Sequence, residues 1–438
     1  MELQLNPKNK TEHLYLEVYR YYKSLIQEGK LPPGSKMPSL RKCSQELKLS
    51  RTTIENAYLQ LAADGYIIAK AQSGYYVTDI ASRQVLPERE TSDKVPSYRY
   101  DFASSGVDRE SFRFDLWRRY IKSALRQDER LLSYGEPQGE RDLRCTLADY
   151  IRERRNILCS PEDIVIGAGI QSLLHILCPL LKGKNNVSFP TPSFLQGSTI
   201  FEDYGFQVTY RNKNSDIIYV SPAHMTKWGE IMPVSRRLEL LRHAFSRGSL
   251  IIEDDFENEF VYLQKPTPSL FSLAGGNGVV YLGTFSRLLL PSIRISFMVL
   301  PPELSPLYRQ KAARYNQTAS KAEQIALCQF IRDGHLAAQT RRLKRLYALK
   351  LKSLLSAVRE IFGPDAPVQI GAAGTSLALT LQTPLCGDSL IKKAKSQGLR
   401  LQLLRESRGE ITLILSCSSM AAEDFIPACR LLKELSQS

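Results

Sequence analysis

Paired cysteines and long apolar runs are both missing from this sequence. The eight cysteines occur singly, with no C-x-x-C pair, which argues against a zinc module and against a disulfide framework. We expect them to be reduced and mostly buried. No apolar run approaches the roughly 20 residues that cross a bilayer, and residues 1–10 lack the basic-then-apolar order of a secretory signal. These absences predict a cytoplasmic protein with no membrane partner and no metal site.

The sequence does contain enough apolar residues for more than one hydrophobic core. It has 438 residues, of which 43% are hydrophobic, and a formal net charge of +14. The length predicts a multi-domain protein, and the charge suits a polyanionic partner. Much of the basic excess lies outside the first 80 residues, so charge alone does not locate a DNA-binding region.

Residues 341–352 form the densest basic run of the chain. Leucines recur in this run at helical spacing, which predicts the solvated face of an amphipathic helix. An accessory surface that contacts phosphates is the alternative interpretation.

The first 80 residues have the pattern of three short helices followed by a hairpin. Apolar residues recur at helical spacing from Leu14 until Gly29 interrupts them. Ser39 can cap a second helix that ends near Leu47, and Ser50 can cap a third that ends near residue 63. Two helices joined this tightly must cross, as in a helix-turn-helix. Strand-like runs at 66–69 and 75–78 then predict a hairpin that could serve as a wing.

The third of these helices is the candidate recognition helix. Its inward stripe is predicted to consist of four residues: Ile54, Ala57, Tyr58 and Leu61. Arg51 and Thr52 then point outward from the first turn, where recognition helices enter the major groove. A protein-docking module is the alternative, because a helix-turn-helix pattern alone is only moderately specific.

Several motifs of this segment occur in a fixed order: LPPGSKMPSLR at 31–41, LSRTTI at 49–54, and DGY at 64–66. Together they resemble the GntR family of bacterial transcription regulators. The resemblance implies that Arg41, Arg51, Thr52 and Thr53 contact phosphates and base edges, and that Gly74 lets the wing approach the minor groove. Many relatives carry another glycine in the wing, where this chain has Gln72. The alternative is that the two arginines only cover a solvated face.

Beyond the hairpin the pattern changes twice. Residues 81–99 lose periodicity and gather polar side chains, which predicts a flexible linker. Strand-like runs then alternate with helical stretches, which predicts an α/β domain with a mostly parallel sheet. The predicted strands are 164–166, 187–189, 217–220, 250–252, 279–282 and 295–300. Ligands in such sheets bind outside the carboxyl ends of strands, where the turns 167–169, 254–255 and 283–286 fall.

The large domain also contains an ordered set of motifs: YGEPQG at 134–139, GIQ at 169–171, SPAH at 221–224, IEDDFENEF at 252–260 and GTFSR at 283–287. They resemble the fold-type-I aminotransferase domain of the MocR subfamily, which fuses a GntR-type reader to a pyridoxal-phosphate-binding domain. The resemblance implies a winged helix-turn-helix at 1–80, of α+β class, and an α/β aminotransferase-like effector and dimerisation domain at 100–438. That domain would include a small C-terminal subdomain. The chain is therefore expected to form a homodimer.

The resemblance assigns most of a pyridoxal phosphate site. Asp254 matches the carboxylate beside the pyridine nitrogen, and Phe194 stands where a ring-stacking aromatic is expected. The implied phosphate contacts come from four residues: Ser286 and Arg294, with Gly169 and Gln171 nearby. Such a site would still need a primary amine for covalent attachment of the cofactor.

Three positions depart from the family pattern. The Schiff-base lysine is replaced by Arg287, whose guanidinium stays protonated and offers no free amine. Phe256 stands in place of a tyrosine whose hydroxyl bonds the cofactor, and Ile414 in place of an arginine that pairs with a substrate carboxylate. We therefore expect any pyridoxal phosphate to bind without covalent attachment. Lys227 is more simply interpreted as a solvated loop residue than as a substitute amine.

Three classes of function remain open on these residues. The first is a transcription regulator whose two readers contact a double-stranded DNA operator and whose large domain can bind a small-molecule effector. The second is a pyridoxal-phosphate-dependent aminotransferase-type enzyme, against which Arg287 argues. The third is a constitutive DNA-binding or architectural dimer without a ligand. For the cavity itself, the alternative to a ligand site is that Arg287 fills it and pairs with Asp254.

Overall fold

The computed structural model describes residues 14–79, 98–104, 106–192, 194–223, 230–256, 267–371, 374–407 and 409–437. The chain divides into two compact units, Met1–Pro96 and Ser97–Ser438. Residues 81–97 of the predicted linker lie outside the described residues, so its flexibility stays a prediction.

The first unit consists of three helices and a two-stranded antiparallel hairpin. Its elements are α1 (Leu14–Gln27), α2 (Leu40–Leu47), α3 (Arg51–Ala63), β1 (Ile67–Lys70) and β2 (Gly74–Val77). Ser39 and Ser50 cap α2 and α3, accepting hydrogen bonds from the amides of Lys42 and Thr53. The predicted helix ends are therefore confirmed. Both strands lie one residue nearer the turn than predicted. Tyr66 precedes β1 rather than beginning it, and its amide donates a hydrogen bond to the carbonyl of Leu61 near the end of α3.

Aromatic and aliphatic side chains fix α3 within this unit. The predicted inward stripe is confirmed, since Ile54, Ala57, Tyr58 and Leu61 are all fully buried. The Tyr58 ring meets the Tyr22 ring of α1 edge-on at 5.6 Å and the Tyr75 ring of β2 at 5.3 Å. One side chain therefore ties the candidate recognition helix to both α1 and the hairpin.

The second unit is built on a seven-stranded sheet of order β4-β10-β9-β8-β7-β5-β6. Its strands, with the short β3 that precedes them, are β3 (Tyr100–Asp101), β4 (Ile164–Gly167), β5 (Asn186–Phe189), β6 (Gln207–Tyr210), β7 (Ile217–Val220), β8 (Leu250–Asp254), β9 (Val279–Thr284) and β10 (Ser296–Val299). Only β10 runs antiparallel to its neighbours. All six predicted strands are confirmed, and β6 was missed.

Helices cover both faces of this sheet, so that one apolar core lies on each side. They are α4 (Phe114–Leu125), α5 (Asp128–Leu131), α6 (Arg141–Arg155), α7 (Ile170–Leu177), α8 (Leu195–Asp203), α9 (Val234–Arg247), α10 (Leu270–Leu273), α11 (Ser305–Arg309) and α12 (Lys321–Arg332). The predicted turns 167–169, 254–255 and 283–286 fall at the carboxyl ends of β4, β8 and β9, as expected.

A smaller subdomain with its own core follows, as the sequence predicts. Its elements are α13 (His335–Phe362), β11 (Val368–Ile370), β12 (Ser376–Gln382), α14 (Gly387–Ser396), β13 (Leu399–Arg400), β14 (Gln402–Ser407), β15 (Glu410–Ser416) and α15 (Phe425–Gln437). The antiparallel sheet has the order β11-β12-β15-β14, and β13 pairs with β3. Helix α13 enters both cores, through Leu343 and Tyr347 on one side and Leu351 and Leu354 on the other.

The basic run at 341–352 lies within α13, which confirms the amphipathic helix. The prediction of a solvated face is wrong at Lys350, which is buried and paired with Asp108. Burial requires a partner for this ammonium group, and Asp108 supplies it.

The eight cysteines are all free, and five of them are buried, which confirms the expectation of reduced, mostly buried thiols. Within the described part of the chain, no helix is long and apolar enough to span a bilayer.

Candidate functional site

The predicted DNA-contacting residues of α2 and α3 lie at the starts of the two helices. Arg41 is exposed near the start of α2, and Arg51 and Thr52 are exposed in the first turn of α3. Thr53 is only half exposed, and its hydroxyl lies 2.7 Å from the Ser50 hydroxyl. Three of the four side chains are thus accessible, and the fourth takes part in the helix cap.

The hairpin adds a basic and aromatic surface that the sequence did not reveal. The Tyr76 ring lies 4.5 Å from the Lys70 Nζ and 5.8 Å from the Lys36 Nζ, and its hydroxyl is 2.6 Å from that of Ser73. We call Lys36, Lys70 and Tyr76 the wing patch. Lys36 comes from the loop before α2, so only the folded unit brings these residues together.

Two residues of the turn have positive φ angles. Gly74 opens β2 with φ +101°, and Gln72 has φ +59°. The left-handed region favours glycine, which agrees with the additional wing glycine that the family resemblance predicts at the position of Gln72. The chain accepts a bulkier side chain there at a cost in backbone strain.

The second unit has a cavity of about 700 Å³ at the carboxyl ends of β4, β8 and β9. All eight predicted cofactor residues line it: Gly169, Gln171, Phe194, Asp254, Phe256, Ser286, Arg287 and Arg294. Residues that are more than 120 positions apart in sequence therefore meet in one cleft, as a parallel sheet requires at its carboxyl edge.

Asp254 provides the carboxylate of this cavity. The Tyr219 hydroxyl donates a hydrogen bond of 2.7 Å to its Oδ2, whereas Oδ1 is buried without a hydrogen-bond partner. Burial raises the pKa of Asp254 to about 6, and the hydrogen bond from Tyr219 opposes that shift. Tyr219 itself stacks on Phe189 at 4.8 Å. The result is a fixed carboxylate with one unused acceptor.

The residues on either side of Asp254 anchor the end of β8. Arg155 donates two hydrogen bonds to the Asp255 carboxylate, at 2.7 and 3.0 Å, and Tyr281 donates a third at 2.6 Å. The Glu253 carboxylate accepts hydrogen bonds from the first two amides of α10, at 2.8 and 2.9 Å. Burial, and to a smaller extent the negative charge of Asp255, raises the pKa of Glu253. Asp254 is therefore held between two buried, fully engaged carboxylates.

Gly169 and Arg294 form one end of the cavity together. Gly169 has φ +91°, and a Cβ at this position would overlap the Arg294 guanidinium. The amides of Ile170 and Gln171 follow at the start of α7, where a helix favours anions. The hydroxyls of Thr284 and Ser286 lie nearby, 3.1 Å from each other. This end can hold a phosphate group.

Phe194 provides an aromatic wall. Its ring lies 5.5 Å from that of Tyr219, and a Cβ at Gly197 would overlap it, so glycine at 197 makes room for this ring. Phe256 also lines the cavity and brings no hydroxyl. Only packing is available from either side chain.

Among the described residues, the wall that the small subdomain contributes carries no formal charge. Ile414 of β15 lies in it with Thr375, Ser376, Gln402 and Ser416. Of these residues the sequence analysis singled out only Ile414, because the family resemblance assigns a role to that position and to none of the others. Residues 224–229, including Lys227, lie outside the described residues.

Arg287 lines the cavity and is half-buried. The alternative in which it pairs with Asp254 is wrong: Oδ1 of Asp254 has no hydrogen-bond partner, and Oδ2 is bonded to Tyr219. The Tyr219 hydroxyl already provides one hydrogen bond to this buried carboxylate, and Asp254 and Arg287 both line the cavity.

Two family descriptions match the chain. Residues 14–77 match bacterial regulatory proteins of the gntR family, and residues 107–374 match aminotransferase class I and II. The chain is 34% identical to the uncharacterized HTH-type transcriptional regulator YdeL of Bacillus subtilis over 409 residues, which is 89% of this chain and 88% of that protein. It is 34% identical over 446 residues to YhdI of the same organism, described in the same words, with 96% and 95% covered.

More distant relatives extend the comparison. The probable rhizopine catabolism regulatory protein MocR of Rhizobium meliloti is 26% identical over 425 residues, covering 89% of this chain and 86% of that protein. Among solved structures, an archaeal alanine:glyoxylate aminotransferase superposes with a TM-score of 0.66 at 20% identity, over 77% of this chain and 90% of that one. LysN of Thermus thermophilus, an α-aminoadipate aminotransferase solved with N-(5'-phosphopyridoxyl)-L-leucine, gives 0.63 at 23% identity, over 76% and 91%. These structures show that the second unit has the fold of an aminotransferase.

Proposed function

The chain belongs to the GntR family of bacterial regulatory proteins and joins its winged helix-turn-helix to an aminotransferase class I and II domain, and on that premise we propose a regulator with a non-catalytic ligand-binding domain. It is a transcription regulator of GntR/MocR type, as its relatives are named. The observation that supports the non-catalytic part is that Arg287 lines the cavity, at the position where the family resemblance predicts a lysine.

We propose that α2, α3 and the hairpin contact an operator. Arg41, Arg51 and Thr52 are exposed at two helix starts, and a recognition helix places such residues on phosphates and base edges. Thr53 would contribute through the cap that it helps to form, and Gly74 through the close approach that a glycine allows. The wing patch would add two phosphate contacts, because each lysine neutralises one backbone charge.

Selection from random duplexes tests this function. The full-length chain is incubated with a pool of random-sequence double-stranded DNA, and the retained fraction is amplified and sequenced. We expect one enriched site, repeated or palindromic if two chains bind together. Retention without sequence enrichment would contradict a sequence-specific regulator and favour a constitutive architectural role.

We further propose a homodimer formed through the large domain. Leu132 is 89% exposed and Tyr134 fully exposed, although the Lys321 Nζ donates hydrogen bonds to the carbonyls of Ser133 and Tyr134, both at 3.2 Å, and to the Ser133 hydroxyl at 2.9 Å. Large apolar side chains held outward on an ordered loop mark an interaction surface. The segment that follows this loop lies beside the end of β4, since Gln317 donates hydrogen bonds to the carbonyls of both Pro137 and Ile166.

Leu132→Glu is expected to shift the chain from dimer to monomer. A charge placed in a buried contact costs several kcal/mol unless it is paired, so sedimentation at micromolar concentration should report half the mass of the parent. Leu158→Glu is the matched control, because Leu158 is 73% exposed in the loop before β4, at the opposite edge of the sheet. A parent that sediments as a monomer would contradict the dimer.

The cavity fits pyridoxal phosphate in three respects. The unpartnered Oδ1 of Asp254 can accept a hydrogen bond from a protonated pyridine nitrogen. Arg294, Ser286 and the amides at the start of α7 can hold the phosphate, and Phe194 can lie against the ring. When bound in enzymes of this fold, the group supplies an electron sink for amino-acid chemistry.

Three residues indicate that transamination does not follow ligand binding. Arg287 cannot attach the aldehyde, because a guanidinium does not deprotonate in proteins. Phe256 has no hydroxyl to orient the ring oxygen, and Ile414 has no charge to pair with an amino-acid carboxylate. We therefore propose that the domain binds its ligand reversibly and that binding alters the spacing of two paired readers.

Borohydride reduction of the chain with pyridoxal phosphate is expected to leave no pyridoxyl adduct. Only a covalent imine can be trapped by reduction, and Arg287 offers no amine to form one. Mass spectrometry of the intact and digested chain measures the adduct, with an aminotransferase that carries the usual lysine treated in parallel. A stoichiometric adduct on any lysine of the parent, Lys227 included, would contradict the proposal and favour an aminotransferase-type enzyme.

A further inference from the structure

The outward face of α3 continues beyond the arginine at which the helix begins. It lies opposite the buried stripe that anchors the helix. Four exposed side chains recur there at the spacing of one helix face: Thr52, Glu55, Asn56 and Leu59. We call these four residues the groove face, because a recognition helix presents this surface to the bases of an operator.

The groove face contains one charged side chain, that of Glu55. The other charged residue of α3 is Arg51, so the helix carries no net charge. Further cations that can meet phosphates lie outside α3, at the start of α2 and in the wing patch. Attraction to the DNA backbone therefore does not explain the chemistry of the groove face.

The Glu55 carboxylate is not engaged by its own unit. Arg51 precedes it by four residues, but arginine before glutamate is the weaker order for a pair at this spacing. In the described part of the unit, Glu28 and Glu46 form ion pairs, whereas the Glu55 side chain forms neither an ion pair nor a hydrogen bond. Glu55 therefore meets a ligand of α3 with its acceptor oxygens unused.

A carboxylate in the major groove needs a hydrogen-bond donor. Phosphates repel it, and docking removes the water that solvates it in the free protein. An ionised carboxylate accepts hydrogen bonds and donates none. The donors in the major groove are the exocyclic amines of cytosine and adenine, while guanine and thymine present acceptor oxygens. Docking of the groove face thus requires one of these two amines opposite Glu55.

Cytosine matches a carboxylate better than adenine does. Adenine presents its N6 amine beside the N7 acceptor, a pattern that suits an amide and opposes a second carboxylate oxygen. Cytosine presents its N4 amine without an acceptor on the same edge. The guanine of a C·G pair presents two acceptors that suit an arginine, and Arg51 lies one helical turn from Glu55.

We infer, on the premise that α3 contacts an operator as we propose, that Glu55 is a specificity-determining residue whose carboxylate accepts a hydrogen bond from the exocyclic amine of a cytosine. The role of Glu55 is then to select a base rather than to add affinity for the backbone. A change at Glu55 should alter the base preference at one position of each half-site and leave the other positions as they are.

Replacement of every base pair of the enriched operator by each of the other three tests the inference. Fluorescence anisotropy measures binding of the full-length chain to the resulting duplexes. We expect one C·G pair in each half-site at which replacement weakens the parent by roughly 5- to 150-fold, and Glu55→Ala by about threefold or less. Glu55→Gln is expected to favour adenine over cytosine at that pair, because a glutamine amide matches N6 and N7 together.

Glu46→Gln is the matched control, since Glu46 is an exposed glutamate of α2 that pairs with Lys42 at 3.8 Å. It should leave the preference at every position unchanged. Base preferences that stay unchanged in both Glu55 variants, or that change only at an A·T pair, would overturn the inference. Equal losses on the operator and on a scrambled duplex would do the same. These outcomes leave the regulator function standing, whereas a parent that enriches no site would contradict that function and the inference together.

Discussion

Arg155→Leu is expected to lower the free energy of unfolding of the second unit by about 3–5 kcal/mol, because it leaves the Asp255 carboxylate buried without its cationic partner. Arg155 is 7% exposed and Asp255 is 5% exposed, so water cannot replace the lost hydrogen bonds. Urea unfolding followed by tryptophan fluorescence measures the change. Both tryptophans of the chain, Trp117 and Trp228, belong to this unit, and the signal therefore excludes the DNA-binding unit.

Helix α6 provides the matched control for this prediction. Arg152→Leu removes an arginine one turn away, whose ion pair with Asp149 is exposed and should contribute about 0.5 kcal/mol or less. Arg155→Leu should also weaken binding of any ligand that uses Asp254, since Asp255 anchors the end of β8. Equal stabilities of the two variants would show that the buried pair has little role in fixing the cavity.

Arg51→Ala is expected to weaken binding to the enriched operator by about 1–3 kcal/mol, or roughly 5- to 150-fold. Arg51 is exposed at the capped start of α3, where an arginine can make bidentate contacts with a base edge. Fluorescence anisotropy with the operator and with a scrambled duplex measures the loss of specificity. We expect the scrambled duplex to be affected much less than the operator.

The wing patch provides the contrasting variant. Lys70→Gln should weaken both duplexes by similar factors and lower the slope of log affinity against log salt by about 0.9, because one phosphate contact is lost. Lys30→Gln serves as the control, since the charge of Lys30 is already paired with Glu28 at 2.5 Å. If Arg51→Ala weakened binding to both duplexes by similar factors, α3 would not read bases, and its assignment as the recognition helix would be wrong.

Local signals were sufficient for the elements of the first unit. Ser39 and Ser50 each precede an apolar helical stripe, and the cap and stripe together determine where α2 and α3 begin. The strands of the large sheet were equally visible, because strands buried on both faces are continuous apolar runs. Strand β6 was missed since it is an edge strand with two exposed ends, Gln207 and Tyr210, and its sequence lacks that run.

Contacts between distant segments were not visible in the sequence. The hydrogen bond from Tyr219 to Asp254 joins two adjacent parallel strands, and nothing in either strand alone indicates it. Lys350 belongs to a basic run that predicts a face exposed to solvent. Its burial is explained by its ion pair with Asp108, which lies on a separate segment. The eight cavity residues could be named because the family resemblance assigns all of them to one ligand site. The motifs that carry the resemblance lie outside the small subdomain, so its wall was not predicted apart from Ile414.

The path of α13 has a mechanical consequence for the cavity. A helix of 28 residues is about 42 Å long at 1.5 Å per residue, and it is embedded at its two ends in different cores. The helix is therefore shared by both cores, and a shift of the small subdomain relative to the seven-stranded sheet must tilt or bend α13 or disturb the packing of one core.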